Sequence, residues 1–156
     1  MSATAVADIV AGTIRATVEI AAPPERVFRA LVEPGELAAW WGSAETYRTF
    51  DWSIDLRPGG RWSAQARSAT DDKDLSTVRG EYRTVDPPRL LEYTWEPSWE
   101  QFVQTLVRIE LAPTSAGTRV TVIHSGFTAE PAKQGHTEGW KLVLGWLAAH
   151  LQEVSR

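Results

Sequence analysis

Histidine is the residue type in this sequence with the widest chemical range, and the chain has three of them. His124 follows Val120 and Val122 at alternating positions, which predicts that all three side chains lie on one face of a strand. An imidazole on that face can orient an oxygen atom of a ligand or act as a base near neutral pH. A buried histidine that is hydrogen-bonded for structural reasons is the alternative. His136 and His150 lack the HExxH or similar spacing of a metal site, and we expect both at the surface.

Motifs for metal, phosphate or thiol chemistry are incomplete or absent in the sequence. The chain has no cysteine, which excludes disulfides, a thiolate zinc site and a cysteine nucleophile. Arg57 and Arg61 flank Pro58-Gly59-Gly60, but a turn after a strand explains these glycines, and the spacing fits neither a Walker loop nor a dinucleotide fingerprint. The acidic run 68–76 lacks the glycine and the terminal glutamate of a calcium loop. We therefore predict that the protein uses no metal, no nucleotide and no other cofactor.

Aromatic residues are abundant, with eight Trp, three Tyr and four Phe. Such side chains bury a large area and also line ligand sites, so composition alone fits both a solid core and a binding pocket. The periodicity of the predicted strands and helix gives an inward-facing shell that is mostly apolar with a few polar groups, as in small-molecule sites. The candidate ligand-binding residues of this shell are Phe50, Trp52, Trp62, Tyr82, Tyr93, Trp95, Val107, His124, Trp140 and Leu144.

One long helix and a series of short strands must position this shell. Within residues 139–154, apolar residues recur at helical spacing on one stripe. The stripe consists of Trp140, Val143, Leu144, Leu147, Leu151 and Val154. Pro131 marks the earliest start of this helix. Before it come alternating segments that are typical of antiparallel strands. The predicted order is one strand, two short helices, six strands and the long helix, so we predict an α+β fold in which a curved antiparallel sheet of about seven strands wraps around the C-terminal helix.

Length and charge limit the class of protein. The chain has 156 residues, and we expect one domain over residues 13–156 after a flexible arm over residues 1–12. The net charge of −4, without a basic run, argues against binding to nucleic acid or to an anionic membrane. No segment approaches the roughly 18 apolar residues of a membrane span. The lack of cysteine fits a reducing cytoplasm, where we expect a monomer or homodimer.

Several phrases, in their order along the chain, resemble a known family. They are Ala22-Pro23-Pro24-Glu25-Arg26-Val27-Phe28 with Trp40-Trp41-Gly42, Asp55-Leu56-Arg57-Pro58-Gly59-Gly60-Arg61-Trp62, Gly80-Glu81-Tyr82 with Asp86-Pro87-Pro88, Thr94-Trp95, Gly117-Thr118-Arg119-Val120, His124-Ser125-Gly126-Phe127 and Gly139-Trp140. Together they are similar to the START-like helix-grip (SRPBCC) superfamily. Within it they resemble the bacterial relatives of the C-terminal domain of the activator of the ninety-kilodalton heat-shock chaperone ATPase. The resemblance covers nearly everything after residue 12, and it implies a cavity between the concave sheet and the long helix rather than one reaction.

Two functions from different classes follow from these expectations. The first is the binding of a small hydrophobic or aromatic molecule in the cavity between the sheet and the C-terminal helix. The second, implied by the resemblance, is a chaperone-associated interaction module with a role in stress response. A polyketide cyclase or dehydratase is a third reading, in which His124 and the tyrosines would be the candidate acids or bases. Because the sequence contains no catalytic motif, we favour binding over catalysis.

Overall fold

The architecture is an eight-stranded antiparallel sheet with one long helix, in a computed structural model that describes residues 4–154. The strands are β1 (Val6–Val10), β2 (Thr13–Ile20), β3 (Tyr47–Ile54), β4 (Arg61–Ser68), β5 (Leu75–Asp86), β6 (Leu90–Pro97), β7 (Thr105–Pro113) and β8 (Thr118–Ser125). The helices are α1 (Pro24–Val32), α2 (Pro34–Trp40) and α3 (Glu130–Val154), with a 3₁₀ turn at Ser98–Glu100. The strand order across the sheet is β1-β2-β8-β7-β6-β5-β4-β3. The predicted α+β helix-grip fold is therefore confirmed, with one more strand than the sequence indicated.

The additional strand, β1, corrects the expectation of a flexible arm over residues 1–12. Val6–Val10 pair with β2 through a two-residue hairpin turn at Ala11 and Gly12, whose φ angles are 51° and 78°. Two successive positive φ angles are typical of a type I′ turn, which usually carries Asn-Gly, so Ala-Gly gave no clear signal. Ile9 packs against the core from this strand. Residues 1–3 of the expected arm lie outside the described part of the chain.

Helix α3 packs its predicted apolar stripe against the concave face of the sheet. The exposed fractions of Trp140, Val143, Leu144, Leu147 and Leu151 are all 5% or less. The helix begins at Glu130, next to Pro131, so the earlier of the possible starts is the observed one. This adds about two turns on the N-terminal side of Trp140, and those turns carry residues of the site described below. The side chain of Val154, the last member of the stripe, lies outside the described residues.

The two short helices each begin at a proline, whose fixed φ suits the first helical position. Helix α1 contacts β7 and α2, and α2 contacts β3 and α3. The indole N–H of Trp40 donates to the carbonyl oxygen of Ala30 at 2.8 Å, which joins the two helices. Because α2 ends at Trp40, this packing carries the next residue, Trp41, to the space between the sheet and α3.

A β-bulge in β3 changes which of its side chains face inward. Asp51 has a φ of 52°, and the pairing with β4 shifts between Phe50 and Ser53. Thr49 is buried before the bulge and Trp52 is partly buried after it, three residues apart instead of two. Phe50 consequently faces the outer side, where the guanidinium of Arg67 lies 5.1 Å from the centre of its ring. The placement of Phe50 in the inward shell is wrong for this reason.

Within the described residues, none of the helices combines the length and the apolar character that crossing a membrane requires.

Candidate functional site

A pocket of about 530 Å³ lies between the first half of α3 and the strands β3, β4 and β5. Indole and phenol rings form much of its wall, and hydroxyl and carboxylate groups lie among them. Its lining residues are Trp41, Thr46, Tyr47, Thr49, Trp52, Gln65, Ala66, Ser68, Asp74, Ser76, Val78, Trp95, Trp99, Glu100, Gly135, His136, Gly139, Trp140 and Val143.

Trp41 is the centre of the aromatic wall. Its ring centroid lies 5.6 Å from that of Trp52, 6.0 Å from that of Trp95 and 6.1 Å from that of Trp140. Trp41 and Trp95 are stacked at an interplanar angle of 16°, and the other two pairs are tilted. Distances of this kind are in the range of favourable aromatic pairs. Trp41 is not among the residues predicted for the inward shell, although the phrase Trp40-Trp41-Gly42 was noted in the sequence.

The indole N–H groups of this wall are used within the protein. Trp41 donates to the hydroxyl of Tyr47 at 3.3 Å, and Trp52 donates to Thr49 Oγ1 at 3.0 Å. The Thr49 hydroxyl in turn donates to the carbonyl oxygen of Trp41 at 2.7 Å, which holds both rings. The Nε1–H of Trp95 donates to the Nε2 atom of a histidine on α3, described below. These donors are therefore already paired, and the wall presents ring surfaces rather than free N–H groups to a guest.

Among the ten predicted ligand-binding residues, three line this pocket: Trp52, Trp95 and Trp140. A second, much smaller space of about 20 Å³ lies deeper, with Trp62, Tyr82 and Tyr93 on its wall. Burial raises the pKa of Tyr82 and, together with the neighbouring Tyr82, that of Tyr93, so both phenols stay neutral. The other four predicted residues line neither space: Phe50 lies on the outer face, and Val107, His124 and Leu144 are in the core.

Trp62 owes its position to a glycine on the neighbouring strand. It lies opposite Gly80 in the pairing of β4 with β5, and its indole N–H donates to the carbonyl oxygen of Thr94 at 3.2 Å. A Cβ atom on Gly80 would collide with that carbonyl oxygen and with the indole nitrogen. The close approach therefore requires glycine at position 80. It fixes the ring of Trp62, which packs against the rings of Trp52 and Trp95.

His124 is fully buried, and both of its ring nitrogens are hydrogen-bonded. The Nε1–H of Trp140 donates to Nδ1 at 3.0 Å, so Nδ1 carries no proton. Nε2 then carries the hydrogen and donates to Thr105 Oγ1 at 2.7 Å, and the Thr105 hydroxyl donates to the carbonyl oxygen of Trp95. Burial, with a smaller contribution from His136, holds the pKa of His124 well below its ordinary value. His124 is therefore the buried, structurally hydrogen-bonded histidine that was the alternative to a ligand-binding or catalytic one. Neither ring nitrogen is free for a ligand or a proton.

His136 was expected at the surface, but its side chain is only 11% exposed and lines the pocket. It lies one helical turn before Trp140, because α3 begins early enough to include it. Its Nδ1–H donates to the carbonyl oxygen of Ala132 at 2.8 Å, and Nε2 accepts the N–H of Trp95 at 3.0 Å. The ring of Trp99 stacks on it at 6.3 Å and 20°. This arrangement uses both ring nitrogens within the protein and makes the imidazole part of the aromatic wall.

His150 was also expected at the surface, and the structure corrects this too. Its side chain is 21% exposed, and its Nε2 atom lies 3.0 Å from Glu36 Oε1 on α2. Glu36 also pairs with Arg26 on α1 at 2.8 Å. Burial opposes ionisation of Glu36, but the hydrogen bonds from Arg26 and His150 outweigh it and lower the pKa of this carboxyl. His150 therefore joins α3 to the short helices, away from the pocket.

The charged groups of the pocket are both acidic. Glu100 follows Trp99 in the 3₁₀ turn; its Oε1 atom lies 3.9 Å from His136 Nδ1, and its side chain is 27% exposed. Asp74 lies in the loop before β5, within the acidic run 68–76. In the described part of the chain, no three His, Cys, Asp or Glu residues are grouped so that they could hold a metal ion.

Two glycines on α3 leave room in the pocket. Gly135 and Gly139 are one helical turn apart and both line it. A Cβ atom built on either glycine would meet no other atom within 4 Å. Glycine lowers the stability of a helix interior by about 1 kcal/mol relative to alanine. Gly135 and Gly139 therefore lower the stability of α3 while leaving open space beside it.

Comparison with known proteins shows the family. The family model described as "Activator of Hsp90 ATPase homolog 1-like protein" matches residues 21–152, from the turn after β2 to the last turns of α3. The chain belongs to this family. The resemblance drawn from its sequence phrases is thereby confirmed. A comparison with functionally curated proteins found no match.

Solved structures of other proteins are similar to this Hsp90-ATPase-activator-like chain over nearly its whole length. A protein from Chromobacterium violaceum is 28% identical, with a TM-score of 0.78 over 89% of this chain and 96% of that one. A protein from Nitrosomonas europaea is 26% identical, with a TM-score of 0.75 over 90% and 94% of the two chains. A protein from Rhodobacter sphaeroides, at 19% identity and a TM-score of 0.81 over 95% of each chain, shows the shared fold alone.

Proposed function

We propose that this member of the family binds a small, largely apolar aromatic molecule in the pocket between α3 and β3, β4 and β5. The observation that carries the proposal is a space of about 530 Å³ with the rings of Trp41, Trp52, Trp95 and Trp140 on its wall. Its volume lies within the roughly 300–1,000 Å³ of small-molecule sites, and its mostly apolar wall with a few polar groups is typical of them. Stacking of a guest on these rings would bury apolar area on both partners.

The construction of the pocket supports binding over a mere packing defect. Its indole N–H groups are satisfied internally, so an apolar guest would leave no buried donor unpaired. Gly135 and Gly139 widen the space at a cost in helix propensity. A core that merely needed filling would gain stability from larger side chains at these positions.

The other readings have less support from the residues of the site. His124 was the leading candidate for a catalytic base, but both of its nitrogens are engaged in the core and it does not line the pocket. The chaperone-associated function stays a prediction, because its support is the description of the family rather than a feature of this chain.

Binding can be tested by titrating the purified protein with naphthalene and other one-ring and two-ring aromatic compounds. We expect a saturable change in tryptophan fluorescence and a rise in melting temperature, since a ligand bound only by the folded state stabilises it. Gly139→Leu should place a side chain in the pocket and lower the affinity at least about tenfold. Gly145→Leu is the matched control, because Gly145 lies on the same helix with open space beside it but does not line the pocket. No saturable response in the parent, or equal losses in the two variants, would contradict the proposal.

A further inference from the structure

We infer that the guest of this pocket carries a positive charge: an aromatic or apolar molecule bearing a quaternary or protonated amine. The inference rests on the proposed function and names the chemical class of its ligand. It follows from what the pocket offers, which is ring faces and carboxylates, and from what it lacks among the described residues, which is cationic side chains.

The tryptophan rings on the pocket wall are the first feature that favours a cation. Trp41, Trp52, Trp95 and Trp140 all line the pocket, and the ring planes of Trp52, Trp95 and Trp140 are inclined to that of Trp41 by 48°, 16° and 59°. Because their N–H groups are used in hydrogen bonds within the protein, these rings offer a guest π-electron surface and no positive N–H donor. The π surface of an indole ring attracts a cation, and binding sites for quaternary ammonium groups are built from aromatic rings.

The charged residues of the pocket also favour a cationic guest. Glu100 and Asp74 are the charged residues on the wall, and no Lys or Arg lines it within the described residues. The closest cation-capable group to Glu100 in the described chain is His136, at 3.9 Å. Both ring nitrogens of His136 are used elsewhere, Nδ1 with the carbonyl oxygen of Ala132 and Nε2 with the N–H of Trp95, so neither is hydrogen-bonded to the Glu100 carboxylate. By contrast, Glu92 on β6 is paired with Arg108 at 3.1 Å.

Glu100 lies where its charge can act on a guest. Trp99 precedes it and stacks on His136, so the carboxylate lies beside the ring layer at the edge of the pocket. Its side chain is 27% exposed, which makes the surroundings less polar than bulk water and the attraction to a nearby cation stronger than at a free surface. An anionic guest would meet two carboxylates and no cation, and should be rejected.

The test compares three ring compounds of similar shape that differ in charge: phenyltrimethylammonium, tert-butylbenzene and benzenesulfonate. Affinities are measured by tryptophan fluorescence and by the shift in melting temperature. We expect the cation to bind at least about tenfold more tightly than its neutral isostere, and the sulfonate to bind most weakly. Added salt should reduce the preference for the cation, because it screens the partly exposed carboxylates.

Glu100→Gln tests the carboxylate itself. We expect it to weaken binding of the cation about five- to tenfold and to change binding of tert-butylbenzene less than about twofold. Glu19→Gln is the matched control, since Glu19 is an exposed acid on β2 that does not line the pocket. It removes the same net charge and should leave all three affinities unchanged.

The outcomes separate this inference from the proposed function. If tert-butylbenzene binds as tightly as the cation, the pocket binds aromatic molecules and the inference of a cationic guest is overturned. If none of the three compounds binds, and naphthalene does not bind either, the proposed function fails together with the inference. A preference for the cation that persists unchanged in Glu100→Gln would overturn the role assigned to Glu100.

Discussion

The Nε1–H of Trp140 donates to Nδ1 of His124 at 3.0 Å, and this hydrogen bond ties α3 to β8 inside the core. The same imidazole donates from Nε2 to Thr105 on β7, whose hydroxyl donates to the carbonyl oxygen of Trp95 on β6. The long helix and three neighbouring strands are thus joined by one polar chain in an otherwise apolar region. Removal of any one of these groups leaves a buried hydrogen-bonding partner unpaired. Substitutions in this network are therefore expected to lower the stability of the fold.

The first prediction concerns pH. Burial keeps the pKa of His124 in the folded protein well below its ordinary value of 6.5, with a smaller contribution from His136. The unfolded chain therefore binds more protons than the folded one below about pH 6.5, and acidification favours unfolding. The contribution of His124 should be a loss of about 1.4 kcal/mol of unfolding free energy per pH unit below that value, and none above it. Urea unfolding at several pH values between about 5 and 8 measures this slope.

The control for this prediction is His124→Gln, which has no titrating group at the position. The variant is expected to be less stable than the parent throughout, but its stability should fall less steeply, by about 2 kcal/mol less between pH 6.5 and pH 5. Glu36 and Glu92 have pKa values below their ordinary 4.5, so their contributions are lost only at lower pH and do not enter this window. Identical slopes in the two proteins would show that His124 does not remain neutral in the fold.

The second prediction concerns the donor of the same bond. Trp140→Phe keeps an aromatic ring on the buried stripe but leaves Nδ1 of His124 without a donor. We expect a loss of about 1–3 kcal/mol in unfolding free energy beyond the effect of the smaller ring. Trp146→Phe is the control on the same helix, because Trp146 packs edge-on against Tyr47 and no hydrogen bond of its indole is observed among the described residues. Similar losses in both variants would mean that the bond to His124 contributes little.

Local periodicity explains how much of the fold was predictable from sequence. The stripe of α3 depends on spacing within one segment, and each of its described members is buried as predicted. The bulge at Asp51 depends on how β3 pairs with β4, and no Gly or Asn marks it, so the alternation that placed Phe50 inward failed there. Strand β1 was missed for a related reason, since its hairpin turn is Ala-Gly and its alternation is weak.

The candidate site was harder to predict, because its wall comes from segments far apart in sequence. Trp41 follows a short helix, Trp99 lies in a 3₁₀ turn, and His136 lies in the first turns of α3. Periodicity within one element cannot bring these three together. One signal was nevertheless available: with a helix start at Pro131, His136 falls one turn before Trp140 and so on the same face.

The third prediction tests β1 as part of the domain. Ile9 packs against the core, whereas its neighbour Val10 is 55% exposed. Ile9→Ala should lower the unfolding free energy by about 1–2 kcal/mol, and Val10→Ala by less than about 0.5 kcal/mol. Chemical denaturation of the two variants measures the difference. If both substitutions were neutral, the segment would not contribute to the folded domain in solution.

The last prediction uses two alanines on the same face of β4 to separate pocket from core. Ala64 is 1% exposed and does not line the pocket, while Ala66, two residues along the strand, lines it and is partly buried. A phenylalanine at position 64 has no free space to enter, so Ala64→Phe should overpack the core and cost about 1–3 kcal/mol.

Ala66→Phe should instead extend into the pocket of about 530 Å³, with little loss of stability and a loss of aromatic-ligand binding. Thermal unfolding and the naphthalene titration, run on both variants, measure the two effects. We expect the two variants to differ in opposite ways. Ala64→Phe should be destabilised, whereas Ala66→Phe should stay stable but no longer bind naphthalene. A destabilisation of Ala66→Phe as large as that of Ala64→Phe would mean that the space beside Ala66 is closed in solution. The proposed binding site would then lose the observation that carries it.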